Sequence, residues 1–166
     1  MFAAQQTTKF GRCSMMPRHS KLIALFLCIL APIIASASEV PNTMLQAFSA
    51  LDKQLGPQKR EAFKNTPEAE AVANADMSLG IYMRNVWFRS GHSRLADKLH
   101  ALGAQSFDDA SAVVLASYWR HLNGRPLEIE KQCACYAKWW QEQDQLIAAA
   151  KAKGKDSYPI PSFSCP

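Results

Sequence analysis

The side chains that most often carry out acid-base chemistry are scattered along this chain. His92, His100 and His121 follow the N-terminal segment, and Asp108-Asp109 is an adjacent carboxylate pair. Each could act as a general acid or base, but none stands in a nucleophile, phosphate-loop or metal-ligand pattern. Adjacent acids at a helix start usually cap the helix. Histidines near a helix C-terminus, when protonated, interact favourably with the negative end of the helix dipole. The spacing predicts structural roles, with no metal and no cofactor.

A charged side chain inside an apolar helix is a stronger candidate for a site. Arg84 and Asn85 lie in the otherwise apolar segment 80–87. A buried guanidinium needs a carboxylate partner, and we expect Asp109 to pair with Arg84. The candidate binding residues are those able to form a buried polar network: Arg84, Asn85, Trp87, Asp109, Tyr118 and Arg120. The network could bind a ligand or could only stabilise the fold, and both interpretations stay open.

Three cysteines follow the N-terminal segment, and their spacing limits how they can pair. Cys133 and Cys135 are two positions apart on a predicted helix, so their side chains point about 200° apart and do not readily bridge each other. Cys165 is therefore the expected partner. We favour a Cys135–Cys165 disulfide, with Cys133–Cys165 as the alternative. Two thiols on opposite helix faces also converge poorly on a metal ion.

Helices must position all of these residues. Apolar residues recur at steps of three and four, and no stretch alternates as a strand does. Thr66, Ser93 and Ser106 are expected to cap helix starts. The predicted helices are 43–55, 58–64, 66–88, 93–103, 108–122 and 126–153, with Met44, Leu45, Phe48, Leu51 and Leu55 as the first apolar stripe and Leu95, Leu99 and Leu102 as that of the fourth helix. The pattern indicates a single all-α domain of five or six helices with a long C-terminal helix.

Several of these residues form motifs that resemble a known family. The motifs are Gly80-x-x-x-Arg84-Asn85-x-Trp87, Ser93-Arg94-Leu95, Asp108-Asp109-x-Ser111 and Ser117-Tyr118-x-Arg120-x-Leu122-Asn123-Gly124. In this order, over about residues 45–140, the chain resembles a small bacterial domain family of unknown function. It departs from the family pattern at Ala75-Asp76, where an aromatic residue and a histidine are expected, and at Phe107, where a proline is expected. The resemblance supports the domain prediction and implies no activity.

The first 37 residues have the order of a secretory signal peptide. The 13-residue apolar run 22–34 follows Arg18 and Lys21 and precedes Ala35-Ser36-Ala37, as in a cleaved signal. The run is shorter than the ~20 residues that a membrane-spanning helix needs. We expect residues 1–37 to be a signal peptide with an extended or misassigned start. The mature protein is then periplasmic or secreted and has no membrane segment, and the alternative is an uncleaved anchor.

Residues beyond the predicted cleavage site divide into a helical domain over 38–153 and a proline-rich tail over 154–166. Three prolines in the tail exclude a helix. Ile160 and Phe163 make the tail too apolar to hang free, so we expect it to fold back on the last helix, with Cys165 fixing it there.

The net charge of +5 is concentrated before the mature domain. Four of the 19 basic residues and none of the 14 acidic ones precede residue 38. The mature chain is therefore nearly neutral, which argues against a nucleic-acid partner.

Small size, a helical fold and the lack of a catalytic motif favour a binding protein over an enzyme. The sequence predicts an exported interaction protein of inhibitor or immunity type, with an envelope or secreted protein as its partner. Trp119, Arg125 and Trp139 are residue types that anchor interfaces. The alternative is a small cell-wall-directed hydrolase or a sugar-binding module, with Arg84, His92, Asp108 or Asp109 in its cleft. A glycosidase would hold two carboxylates about 5 to 9.5 Å apart.

Overall fold

Every regular element that the structure describes is a helix. The computed structural model describes residues 40–89, 93–155 and 157–160. Its helices are α1 (Met44–Asn65), α2 (Glu68–Ala75), α3 (Arg94–Leu102), α4 (Phe107–Leu122) and α5 (Ile129–Ala152), and α2 continues into two π-helical segments, Asp76–Gly80 and Met83–Phe88. The predicted all-α class and the long C-terminal helix are confirmed. The predicted signal peptide lies outside the described residues.

Within the described ranges, no helix is both long and apolar enough to span a bilayer.

The first helix contains the break that the sequence predicts. Gly56 has φ 67 and ψ 175, and Pro57 begins the second stretch of α1. Glycine tolerates that positive φ, and proline suits the first turn of the helical stretch that follows. The predicted apolar stripe needs one correction: Leu45 is 69% exposed, whereas Ala47 is fully buried.

The start of α2 differs from the prediction. Thr66 does not cap it, because the Thr66 hydroxyl donates to the Ala62 carbonyl at 2.8 Å and so closes α1 instead. Pro67 stands at the N-cap without a side-chain hydrogen bond. The helical path then runs to Phe88 as predicted, but with two π-helical segments in which the backbone accommodates an extra residue per turn.

The next two helices begin at the predicted serines. The Ser93 hydroxyl accepts from the Ala96 N–H, and Ser106 forms a capping box with Asp109. Gly103 ends α3 with φ 119, and a Cβ there would lie 2.9 Å from both the Ala137 Cβ and the Cys133 carbonyl oxygen. Glycine therefore allows the end of α3 to approach α5 closely. Leu102, expected in the α3 stripe, is instead 40% exposed.

The core is built around α4. This helix packs against α1, α2, both π segments, α3 and α5. Val113, Val114, Leu115 and Tyr118 on it are fully buried. A side chain near the middle of α4 therefore reaches several elements at once.

The final helix starts later than predicted. It begins at Ile129 and not at Pro126, because Glu128 adopts a left-handed conformation with φ 51 that the helix cannot include. The described part of the tail also differs from the prediction, since Ile160 is 73% exposed. Its expected burial is wrong, while Phe163 and Cys165 lie outside the described residues.

Candidate functional site

The six candidate binding residues do not form one site. Arg84, Tyr118 and Arg120 each belong to a separate polar cluster, and Trp87 is a core residue, 1% exposed, in edge contact with Tyr82 and Phe88. Asn85 is exposed and accepts a hydrogen bond from Arg89 at 3.0 Å.

The Arg84 cluster joins the first π segment to α4. Arg84 is 9% exposed, and its Nη1 donates to the Asp76 carboxylate at 2.7 Å and to the Ser111 hydroxyl at 3.0 Å. Its Nε lies 3.0 Å from the Asp108 carboxylate. The expected burial of Arg84 and its pairing with a carboxylate are therefore confirmed.

The prediction that Asp109 pairs with Arg84 is wrong. As the third residue of α4, Asp109 turns back and accepts from the backbone N–H groups of Gln105 and Ser106, each at 2.9 Å. The same oxygen accepts from the Trp140 indole at 2.9 Å. Adjacent residues on a helix point about 100° apart, so Asp108 reaches Arg84 while Asp109 caps the helix.

Gly80 explains why the arginine cluster fits beside the helix. A Cβ at Gly80 would lie 2.7 Å from the Asp76 carboxylate and 3.0 Å from Arg84 Nη1. The ion pair therefore crosses directly over this glycine. The spacing Gly80-x-x-x-Arg84 therefore reflects the packing of the ion pair against the glycine. It does not indicate a phosphate-binding loop.

The Arg120 cluster ties α4 to the start of α2 and to the link before α5. Arg120 Nε donates to Glu68 at 2.5 Å, and its Nη1 donates to Glu128 at 2.9 Å and to the Leu127 carbonyl at 3.3 Å. Arg120 is 6% exposed. Glu128 makes this contact from the left-handed conformation described above.

The Tyr118 cluster ties α4 to α1. The Tyr118 hydroxyl donates to Asp52 at 2.7 Å, and Arg60 lies 3.4 Å from the same carboxylate. Burial of the phenol raises the pKa of Tyr118 well above its usual value, and the hydrogen bond to Asp52 raises it further. In the described part of the chain, no buried side-chain nitrogen or oxygen of the three clusters lacks a hydrogen-bond partner.

Residues of α1, of α2 and of the π-helical stretch after it line a groove, which we call the α1–α2 groove. It holds about 430 Å³. Its apolar floor is Leu55, Phe63, Ala71, Ala75, Leu79 and Tyr82, and its remaining lining is Gln54, Lys59, Ala62, Thr66, Asn74 and Ser78. Lys59 is the one basic residue in this lining, and no carboxylate contributes to it.

This groove is not among the sites predicted from the sequence. Ala71 and Ala75 lie four residues apart on α2, both line the groove, and both are buried. Small residues at that spacing leave space beside a helix, which was the available signal. Only the tertiary structure shows that residues of α1 line the same groove.

A second, smaller groove contains serine, aspartate and histidine without assembling a catalytic site. It holds about 380 Å³ and is lined by Phe88, Ser93, Ala96, Asp97, His100 and Phe107. Ser93 Oγ accepts from the Ala96 N–H at 3.2 Å, and His100 lies about 10 Å further along α3. The His100 ring meets Phe107 edge-on at 5.6 Å. His92 lies outside the described residues.

The cysteines are only partly described. Cys133 is a buried thiol, and burial raises its pKa to about 11. Cys165 lies outside the described residues, so its pairing stays a prediction. Of the side chains that the structure describes, no three of His, Cys, Asp or Glu are grouped to hold a metal ion.

The fold and its clusters define a small helical domain whose central helix is tied to its neighbours by arginine and tyrosine. The sequence profile of a domain of unknown function, DUF6794, matches residues 40–122, from just before α1 to the end of α4. The chain belongs to this family, which confirms the expected family resemblance. No curated protein and no solved structure matches the chain.

Proposed function

We propose that this is an exported protein that binds a polypeptide partner in the cell envelope through the α1–α2 groove. The lining of that groove carries the proposal. Its floor is apolar, and its rim offers amides, hydroxyls and one lysine. Apolar surface with a few polar groups around it is the usual composition of a binding site.

The same lining favours binding over catalysis. Lys59 and Tyr82 are the ionisable residues among those that line the groove. General acid-base chemistry needs titratable groups that converge on a reacting atom. The carboxylates of the polar clusters already have protein partners. Asp76 and Asp108 pair with Arg84. Asp109 caps the N-terminus of α4 and accepts from the Trp140 indole.

The three residues that the sequence suggests as interface anchors do not line the α1–α2 groove. Trp119 is 8% exposed, and its indole donates to the Thr66 carbonyl at 2.8 Å. Arg125 lies over the Trp119 ring, 5.1 Å from its centroid. Trp139 meets Trp140 edge-on at 4.9 Å. Trp119 is therefore largely buried and bonded within the domain. We propose the α1–α2 groove as the interface in place of Trp119.

The alternative, a cell-wall-directed hydrolase or sugar-binding module, gains no support from the described residues. Neither Asp108 nor Asp109 lines either of the two grooves. Asp108 pairs with Arg84, and Asp109 accepts hydrogen bonds from backbone N–H groups and from Trp140.

Photo-crosslinking in the native cells tests the proposal. Asn74 is an exposed rim residue, and Lys98 on α3 is an exposed residue outside both grooves. With p-benzoylphenylalanine at position 74, we expect one discrete crosslinked protein in the envelope fraction, and with the probe at position 98 we expect none. Adding Ser78→Trp, which fills the rim, should abolish the product. Equal crosslinking from both positions, or a product found only in the cytoplasm, would contradict the proposal.

A further inference from the structure

We infer that the occupant of the α1–α2 groove is an amphipathic helix of the partner, with an acidic residue on the flank that faces Lys59. This inference rests on the proposed function and specifies the partner's chemistry. Three features of the described residues support it: the length of the groove, its charge, and the apolar surface beside it.

The groove has the dimensions of a site for a helix. The second stretch of α1 and the start of α2 are joined by the short link Thr66-Pro67, and residues of both helices line the groove. Its α2 side extends from Ala71 to Tyr82, which is roughly 16 Å along a helix axis. About three turns of a partner helix match that length. Anchors at i, i+3, i+4 and i+7 would enter above the small side chains of Ala71 and Ala75.

The charge of the groove selects an acidic complement. Lys59 is exposed and forms no ion pair with any described residue. Lys53, one position before the rim residue Gln54, is exposed on the same helix and is likewise unpaired within the described ranges. Two exposed acids adjoin lining residues in the sequence, Glu61 on α1 and Glu70 on α2, and neither contributes to the lining. Opposite charge across an interface favours encounter and rejects the wrong partner.

The surface beside the groove favours a polypeptide over a small apolar ligand. Met77 is 74% exposed and Ile81 is 37% exposed. Each of them directly precedes a lining residue in the sequence, Ser78 and Tyr82 respectively. A molecule that only filled the groove would leave them in water, whereas a helix laid along the groove can cover them. Methionine adapts its shape readily to such partners.

Selection from a displayed peptide library tests this inference. The library holds peptides of about 14 residues with leucine at i, i+3, i+4 and i+7 and with Glu, Gln or Lys at the flanking positions. It is selected on the whole protein and counter-selected on the Ser78→Trp and Asn74→Trp variants, whose folding is verified by urea denaturation. The most enriched peptide and its Glu→Lys counterpart are then titrated by fluorescence anisotropy.

We expect glutamate to be enriched on one flank. Lys59→Glu should weaken the acidic peptide about fivefold and should reverse the preference in favour of its lysine counterpart. Lys98→Glu makes the same charge change outside the groove and should leave both affinities unchanged. Equal enrichment of Glu and Lys, or equal effects of the two variants, would overturn the inference and leave the groove as a binding site. Peptides that bind the Trp variants as well as the native protein, or no enrichment at all, would overturn the proposed function too.

Discussion

Arg84 shows how exposure decides what an ion pair contributes. The arginine side chain is 11% exposed, but its partners Asp76 and Asp108 are 40% and 76% exposed. Removing the arginine leaves two carboxylates that water can solvate. Removing the acids leaves a guanidinium that water cannot reach, which is the more costly change.

We therefore predict that Arg84→Ala destabilises the fold less than the double variant Asp76→Ala/Asp108→Ala. The double variant should lower the free energy of unfolding by about 3 to 5 kcal/mol, because it leaves a buried unpaired charge. Arg84→Ala should cost about 1 to 3 kcal/mol, mostly through lost hydrogen bonds and packing. Urea denaturation of both variants gives the order. The reverse order would mean that the acids, and not the arginine, are the groups that need the pair.

Tyr118 makes stability depend on pH in the alkaline range. Its pKa is raised in the folded protein by burial and by Asp52. A folded-state pKa above the unfolded value of about 10 means that the stabilisation is complete below pH 10 and is lost as the pH rises beyond it.

We expect the free energy of unfolding to fall above about pH 10, with Tyr118 contributing at most ~1.4 kcal/mol per pH unit. Tyr118→Phe should be less stable at pH 8, because Asp52 loses a donor, and should show a shallower alkaline decline. Denaturation midpoints between pH 8 and pH 11 measure both effects. Parallel curves for the two proteins would show that other groups cause the decline.

At the scale of the elements, the predictable features are those that local chemistry determines. Thr43, Ser93 and Ser106 supply capping oxygens within three residues of the N–H groups they accept. Gly56 and Gly103 adopt the positive φ that breaks or ends a helix. These interactions are complete within one turn, so the sequence alone contains them.

The features that were missed depend on distant partners. The Asp76–Arg84 pair spans eight residues through a π-helical segment and is completed by Ser111 on α4. The late start of α5 follows from Glu128, whose carboxylate is held by Arg120. No local pattern indicates either contact, and the α1–α2 groove is equally a product of which helices meet. Five of the six candidate residues are buried and Asn85 is exposed, and the structure does not bring the six together in one site.

Glu128 allows backbone strain and ion pairing to be separated. Its φ of 51 is unfavourable for a residue with a Cβ, while its carboxylate lies 2.9 Å from Arg120. Both Glu128→Ala and Glu128→Gly remove the ion pair, but only glycine relieves the strain. We expect the glycine variant to be more stable than the alanine variant by about 1 kcal/mol. Thermal or urea unfolding of the two variants measures the difference, and an alanine variant of equal or greater stability would show that no strain is stored there.

At the scale of the whole molecule, the described fold extends beyond the family match. The profile ends at residue 122, whereas α5 continues the core through Gln132 and Cys133, both 2% exposed or less. The Gln132 amide donates to Ser117 at 3.2 Å and to the Leu127 carbonyl at 2.7 Å. The last helix is thus joined to α4 by buried polar contacts as well as by apolar packing.

Export to an oxidising compartment would allow a disulfide to link the tail to α5. The cysteines therefore test the proposed export and the predicted disulfide together. We predict that the exported protein begins after Ala37 and contains a Cys135–Cys165 disulfide. Cys133 is fully buried as a thiol, which favours Cys135 over the alternative Cys133–Cys165 pair. Closing a loop of roughly 30 residues should stabilise the fold by about 3 to 4 kcal/mol in the chain-entropy model.

N-terminal sequencing and non-reducing peptide mapping of the envelope fraction measure the cleavage site and the pairing. A reductant should lower the free energy of unfolding of the native protein and of Cys133→Ala, and should have no effect on Cys135→Ser. The Cys133→Ala control separates the loss of a buried thiol from the loss of the bridge, since it removes packing but leaves both bridging cysteines in place. A mature protein that retains residue 1, or that has Cys165 as a thiol or bridged to another chain, would contradict the prediction. The proline-rich tail would then be a tether and not a part of the domain, because the exposed Ile160 gives the described part of the tail little apolar burial to hold it.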